Sequence, residues 1–207
     1  MAHYRGPRLR IIRQFGRLPG LSRKKPKNFK TPGEHGKKQQ KGRKKNESTY
    51  KVRLFEKQRL RYNYCITEKQ LLRYVKEARR KKGLTGFLLM QLLEMRLDNI
   101  VFRLGLAPTI PSARQLVSHN HFLVNNKTVN IASFQCQPGD TITIKTKNKL
   151  RELIKTNLKY KNNLIRPKHL EFDKKQLIAK VNNLVERKDL SFKVNDLLIV
   201  EYYSRVA

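Results

Sequence analysis

The apolar positions in the first half of the chain follow a helical period. Between residues 50 and 105 they recur every three or four positions, with Lys and Arg residues between them, which is typical of amphipathic helices. Thr67 with Gln70 three positions later forms a capping-box pattern and predicts the start of one helix. A further pattern begins at Thr85 and is long enough for two abutting helices, with a joint near residues 94–96.

The period then changes. Ser112 and Gln115 form another capping-box pattern, which predicts a short helix that ends near His119. Over residues 122–131 the apolar residues alternate with polar ones, as they do in strands. Asn125-Asn126 within this range tolerates positive φ and predicts a tight hairpin.

The rest of the chain adds short elements of both kinds. QPGD at 137–140 predicts a type II turn, and the alternating TITI at 141–144 predicts a strand. Residues 150–158 have helical spacing and residues 177–181 have the character of a strand. The apolar ending DLLIVEYYSRVA is compatible with either. The whole pattern predicts an α+β protein that contains a small antiparallel sheet.

The charge of the chain indicates a polyanionic partner. Its 207 residues include 48 Lys and Arg against 15 Asp and Glu, a formal net charge of +33, which would repel itself strongly without such a partner. An anionic membrane is the weaker interpretation, because no apolar run approaches the ~18 residues of a spanning helix. Nucleic acid is therefore expected. Over residues 112–144 only Arg114, Lys127 and Asp140 are charged, so this window is expected to fold as a compact module.

The first 45 residues are the most basic part of the chain. They hold sixteen Lys and Arg and one acid, Glu34, a net charge of +15. Apolar residues occur up to Phe29, so a partner could order this first part of a basic extended N-terminal arm. They are then absent through TPGEHGKKQQKGRKKN, which predicts a stretch that is extended and flexible when free. The alternative is a merely solubilising tail. Deleting residues 1–45 is expected to weaken nucleic-acid binding and to leave the helical part folded.

Few residues suggest a metal or a catalytic site. Cys65 and Cys136 lie far apart without a His/Cys cluster, so no zinc, other metal or cofactor is predicted. The triplet His119-Asn120-His121 has residue types found in one nuclease signature, but metal-assisted hydrolysis needs more ligands nearby. Its alternatives are histidines that stack on a ribose or base, and a histidine that ends the helix and packs on the sheet.

The acids do not form a catalytic pattern either. Asp98 within RLDN is expected to pair with Arg96 or Arg103 and to close a helix joint. Paired carboxylates, nucleophile constellations and phosphate-binding loops are all missing from the sequence. The chain is therefore not expected to be an enzyme.

A resemblance to a known family covers nearly the whole chain. MRLDNIVFRLGLAPTIPSARQLVSHNHFLVNNKTVNIASFQCQPGD at 95–140 resembles the RNA-binding module of the small-subunit ribosomal protein four family, a helix-turn-helix-like pair on a small sheet called the alpha-L motif. The opening YRGPRLR and PTIPSARQLV are most similar to the plastid and cyanobacterial form. Other similar stretches are YRGPRLRIIRQFGRLPGL (4–21), EKQLLRYVKEARR (68–80), TGFLLMQLLEMRLDN (85–99) and VNDLLIVEYYSR (194–205).

The resemblance implies an architecture and a role. It implies a basic N-terminal extension (1–45), a helical domain (46–93, completed by 188–207) and an inserted RNA-binding module (94–187). It also implies a structural constituent of the small ribosomal subunit, a primary binder of a helix junction in the 5′ domain of its RNA. That binding would nucleate assembly and contribute to translational accuracy.

The resemblance further implies partners and a location. The neighbours would be ribosomal proteins three and five, with messenger RNA near the channel through which it enters, and the chain would not form a homo-oligomer. A match that begins near residue 4 leaves no room for a transit peptide. We therefore expect a ribosome of the chloroplast stroma, with the bacterial cytoplasm as the alternative.

Residues expected to contact RNA fall in three groups. The extension contributes basic residues, namely Arg5, Arg8, Arg10, Arg13, Lys24 and Lys25. The first helical segment contributes Arg53, Lys57, Arg59 and Arg61. The module contributes Arg96, Arg103, Arg114, Gln115, Ser118, His119, His121 and Lys127.

The chain departs from the family pattern at three places. Residues 1–64 lack the cysteines with which some members hold zinc, the hairpin has Asn125-Asn126 where Asn-Gly is common, and Ile110 occupies the place of a frequent arginine. The rival functions are an RNA-modifying enzyme that uses the same module as an anchor, and a free RNA chaperone or stress protein.

Overall fold

The computed structural model describes residues 4, 6–28, 30–33, 48–145, 148–160, 167–174, 176–190 and 192–204. The helices are α1 (Arg8–Phe15), α2 (Thr49–Asn63), α3 (Glu68–Arg80), α4 (Thr85–Glu94), α5 (Leu97–Arg103), α6 (Ile110–Ser118), α7 (Asn148–Tyr160) and α8 (Asp196–Ser204). The strands are β1 (Phe122–Val124), β2 (Lys127–Thr128), β3 (Thr141–Ile144), β4 (Leu170–Asp173) and β5 (Ile178–Val181). The chain forms two compact units, the helical unit (Met1–Gly86 with Val194–Ala207) and the sheet unit (Phe87–Lys193).

The helical unit is built around the packing of α2, α3 and α8. Leu60 of α2, with Leu71 and Val75 of α3, is fully buried. The α8 segment, which the sequence left open between helix and strand, is a helix and buries Ile199 and Tyr203. Because these apolar side chains come from distant parts of the chain, the C-terminal segment completes the core.

The N-terminal segment corrects one expectation. Residues 8–15 are not extended but helical, and α1 buries Ile11, Ile12 and Phe15. The Phe15 ring lies 4.9 Å from that of Phe55, and Leu18 and Leu21 further along are also buried. The apolar residues of α1 have amphipathic spacing, but they stand among many cations, so the sequence pattern did not indicate a helix. In the structure these apolar side chains pack on the rest of the unit. Residues 34–45, which were also expected to be extended, lie outside the described residues.

The helix starts show one confirmed and one wrong prediction. At α3, Thr67 and Gln70 make both hydrogen bonds of the capping box. At α6 the expected pair of Ser112 and Gln115 is wrong, because the N-cap is Thr109, whose side chain accepts from the Ser112 N–H. Proline in the first turn needs no N–H partner and has a preset φ, so Pro111 lets the helix begin earlier.

The sheet of the sheet unit is antiparallel and has the order β2-β1-β3-β5-β4. The predicted hairpin is confirmed, since Asn125 and Asn126 have φ of 49° and 65°. The predicted turn is also confirmed, because Gly139 has φ of 95° and the Asp140 N–H donates to the Gln137 carbonyl at 3.1 Å. The strand predicted to reach Ile131 ends at residue 128, and β4 was not predicted.

A buried histidine gives the sheet unit a predicted pH dependence. His169 is 4% exposed, and neither ring nitrogen has a hydrogen-bond partner within the described part of the chain. Burial lowers the pKa of this ring from 6.5, because it penalises the charged form. The Glu94 carboxylate raises the pKa, but its effect is smaller than that of burial. Above pH 6.5 the ring is neutral in both states, but at lower pH the unfolded chain takes up a proton that the folded protein resists, so stability falls.

The pH dependence can be measured by urea unfolding. The midpoint should drop between pH 7.5 and pH 5.5, and His169→Gln should show a smaller drop than the unmodified protein. His119→Gln is the control because His119 is exposed, and it should keep the full drop. An identical drop in His169→Gln and in the unmodified protein would contradict this assignment.

Candidate nucleic-acid interface

The paired helices α5 and α6 form one side of the candidate interface. Gly105, with φ of 85°, lets the chain turn between them, and the two helices pack on each other. After α6, Asn120 adopts φ of 60° and directs the chain into β1. Along the chain, the end of α6 therefore lies between a helix that packs on α5 and the first strand of the sheet.

A buried carboxylate holds this helix pair together. Asp98 is fully buried and accepts hydrogen bonds from Arg96 Nε at 3.0 Å and from Arg114 Nε at 2.6 Å. Arg96 adds a second bond from Nη2 at 2.9 Å. Since Asp98 lies on α5 and Arg114 on α6, the ion pair joins the two helices, and the predicted pairing of Asp98 with Arg96 is confirmed.

A second acid closes the joint between α4 and α5. Glu94 is buried and accepts from Arg103 Nε at 3.0 Å. Its backbone carbonyl accepts from Asn99 Nδ2 at 3.1 Å. The joint falls where the sequence placed it, but Arg103 pairs with Glu94 rather than with Asp98.

Three arginines that were predicted to contact RNA form ion pairs inside the protein. Arg96, Arg103 and Arg114 each direct the guanidinium group at an internal carboxylate. Burial also limits two of them, since Arg96 is 2% exposed and Arg114 is 8% exposed. Their charges position the helices, and their contact with RNA stays a prediction.

The four predicted contacts on α2 likewise have carboxylate partners. Lys57 is buried and pairs with Glu68 at 2.9 Å. The other three pairs are Arg53 with Glu201, Arg59 with Glu56, and Arg61 with Glu68. Each positive charge on this surface is thus partly offset by an acid of the same unit.

The remaining predicted residues of the module are polar and accessible. Gln115, Ser118 and His119 at the end of α6 are exposed, as is Lys127 on β2, and His121 is half-buried. The rings of His119 and His121 lie 6.0 Å apart, edge to face. His119 is thus accessible to a ligand, and the choice between stacking on RNA and packing on the sheet stays a prediction.

The predicted residues of the extension lie mostly on the surface. Arg10, Lys24 and Lys25 are exposed, while Arg8 and Arg13 are half-buried. The Arg13 Nε donates to the Lys30 carbonyl at 2.8 Å. The sixth predicted residue of this group, Arg5, lies outside the described residues.

The first asparagine of the hairpin between β1 and β2 is held by two side-chain hydrogen bonds. Asn125 Nδ2 donates to Asp140 Oδ1 at 2.8 Å, and its Oδ1 accepts from the Thr141 N–H at 2.9 Å. These bonds fix the hairpin to β3 and offset the cost of a non-glycine residue at positive φ.

The described residues hold neither a metal-binding cluster nor an exposed cysteine. They contain no group of three or more His, Cys, Asp and Glu that could hold a metal ion. Cys65 and Cys136 are free and buried, and burial raises the pKa of the Cys136 thiol to about 12, so little reactive thiolate forms. Within the same residues, no helix has the length and apolar character to cross a membrane.

Comparison with known proteins decides the family. Residues 3–94 match the model of the ribosomal protein S4/S9 N-terminal domain, and residues 95–142 match that of the S4 domain. The chain is 59% identical to small ribosomal subunit protein uS4 of Trichodesmium erythraeum, over 100% of both chains. The chain belongs to the uS4 family.

Two further relatives show the breadth of the match. The uS4 protein of Nostoc punctiforme is 56% identical over 100% of both chains. The uS4c protein of Cyanophora paradoxa is 56% identical over 99% of this chain and 100% of its own. Members of the uS4 family are structural proteins of the small ribosomal subunit, so this chain is a structural protein and not an enzyme.

Sequence reasoning missed one basic surface. Four cations of α3, Lys69, Arg73, Lys76 and Arg80, are exposed. Their spacing of four, three and four positions was a readable signal, since it places them on one helix face.

Proposed function

We propose that the chain binds folded small-subunit ribosomal RNA through many phosphate contacts. In the module, the end of α6 is the part that contacts the RNA at a defined position. The observation that carries this proposal is the set of exposed polar residues Gln115, Ser118 and His119 on a helix end fixed by the buried Asp98 pairs. The membership in the uS4 family supports ribosomal RNA as the ligand.

The chemistry of this helix end suits RNA. Imidazole rings stack on unpaired bases and donate hydrogen bonds to phosphates, while amide and hydroxyl groups contact 2′-hydroxyls. Buried ion pairs keep α6 in place without using its outer face. The module therefore reads RNA shape, and the net charge of +33 supplies sequence-independent attraction.

The further partners follow from the family resemblance. We infer a site at a helix junction of the 5′ domain, with ribosomal proteins three and five as neighbours and messenger RNA nearby. Binding there nucleates subunit assembly and contributes to translational accuracy. The monomeric state is part of the same proposal.

We place the protein in the ribosome of a plastid, with the bacterial cytoplasm as the alternative. The relatives support both, since they include cyanobacterial uS4 proteins and the uS4c protein of Cyanophora paradoxa. The division into an extension (1–45), a helical domain (46–93 with 188–207) and a module (94–187) belongs to the proposal as well.

The proposal predicts a steep salt dependence. Each neutralised phosphate releases counterions, so many contacts together make affinity fall on the order of a thousandfold or more between 50 and 200 mM salt. Filter binding to a transcript of small-subunit ribosomal RNA measures this fall. A flat curve would contradict the phosphate contacts.

Sedimentation separates the remaining alternatives. A tagged copy of the protein should travel with the small subunit through a high-salt gradient. Recovery at the top of the gradient would instead support a free RNA chaperone. Modified nucleotides after incubation with ribosomal RNA would support an RNA-modifying enzyme.

A further inference from the structure

The α3 helix has two contrasting faces. Its inner face buries Leu71, Tyr74, Val75 and Ala78. The outer face carries four exposed cations, here called the α3 stripe: Lys69, Arg73, Lys76 and Arg80. At 100° per residue these four lie within a sector of about 60°, so they form one row along the helix.

The α3 stripe differs from the α2 cations that were expected to contact RNA in having no acid partner. Among the described residues, none of its four side chains lies within ion-pair distance of a carboxylate. The one acid beside the row, Glu77, pairs with Lys81 at 3.0 Å. The four cations of α2 that were expected to contact RNA all have carboxylate partners. Of these two helices, α3 therefore carries the row of cations that no acid offsets.

The spacing of the stripe fits a phosphate backbone. Residues 69 to 80 span about 16 Å along a helix that rises 1.5 Å per residue. A nucleic-acid strand carries a phosphate every few ångströms, about 3.4 Å in duplex DNA. Four cations over this length can thus face a run of consecutive phosphates on one strand.

The surroundings of the stripe favour RNA over a protein partner. A shallow groove along α3 is lined by the four cations together with Leu72 and Glu77. Protein interfaces have an apolar and aromatic core, whereas this groove has Leu72 as its single apolar lining residue. A lining in which four of six side chains are basic suits phosphates, which carry no sequence information.

We propose that the α3 stripe is a second RNA-binding surface, which holds the sugar-phosphate backbone of one ribosomal RNA strand without sequence preference. This proposal rests on the proposed function, and it assigns the contact of the helical unit to α3 instead of α2. The module places the protein on the RNA, and the stripe adds affinity at a separate site.

The test compares two variants that each remove four positive charges. The stripe variant is K69Q/R73Q/K76Q/R80Q. The control is K168Q/K180Q/K188Q/K193Q, four exposed lysines of the sheet unit. Binding to a small-subunit ribosomal RNA transcript is measured from 50 to 300 mM KCl. The slope of log affinity against log salt should become shallower by about 3 to 4 for the stripe variant, at roughly 0.9 per phosphate contact, and by less for the control.

Each outcome has a defined meaning. An unchanged slope for the stripe variant, or an equal change in both variants, overturns the stripe while the proposed function stands. A flat curve for the unmodified protein overturns the proposed function itself. Glutamine is a good helix former, so the stripe variant should keep its far-ultraviolet circular dichroism spectrum. The charge-preserving exchange K69R/R73K/K76R/R80K should retain the slope of the unmodified protein.

Discussion

Replacing Asp98 with alanine should destabilise the sheet unit by about 3–5 kcal/mol, because it leaves two buried guanidinium groups without their carboxylate. Asp98 is fully buried and accepts hydrogen bonds from both Arg96 and Arg114. The loss is measured as the free energy of unfolding in urea. Weaker RNA binding should accompany it, because Arg114 holds α6 in place.

Two further variants give the Asp98 prediction its controls. Asp98→Asn keeps the shape and an acceptor oxygen but removes the charge, so its loss should be smaller than that of alanine. Glu171→Ala removes an exposed carboxylate of β4 and accounts for the general effect of one lost negative charge. A loss below about 1 kcal/mol in Asp98→Ala would show that the ion pairs do not hold the helices.

Replacing Leu18 with alanine should destabilise the helical unit by about 2–5 kcal/mol, as expected for a cavity at a fully buried leucine. Leu18 is 0% exposed and lies in the segment that was expected to be a removable arm. Deleting residues 1–21 should have a larger effect, since it removes five buried apolar side chains that each contribute roughly 1.5–3 kcal/mol. Thermal unfolding without RNA measures both.

A matched control lies in the same segment. Leu9 of α1 is 40% exposed, so Leu9→Ala should change stability by less than about 0.5 kcal/mol. If the protein without residues 1–21 unfolded at the same temperature as the full chain, the segment would be an independent arm after all.

Local sequence patterns predicted the elements well where local chemistry decides them. The capping box at Thr67, the hairpin at Asn125-Asn126 and the turn at Gly139 depend on neighbouring residues, and all three are confirmed. The short helix α1 was missed because its apolar positions stand among many cations. Its stability comes from packing against Phe55 and Tyr62 of α2, which no local pattern shows.

The C-terminal segment shows the same limit. Its apolar residues run together without a clear period, so the sequence left helix and strand open. In the structure, Tyr203 donates to Glu68 Oε1 at 2.6 Å, a bond between residues far apart in the chain. The segment forms the helix α8, which contacts α2 and α3. The sequence alone did not distinguish this helix from a strand.

By itself, the sequence determined the excess of positive charge, most helix positions, the absence of a catalytic pattern and the resemblance to the ribosomal family. Only the tertiary structure decided which cations are paired with an acid. Arg114 and Asp98 are 16 residues apart, and Arg53 and Glu201 are 148 apart. A charge is neutralised by whichever acid the fold brings within a few ångströms, and this distance cannot be read from residue types or spacing.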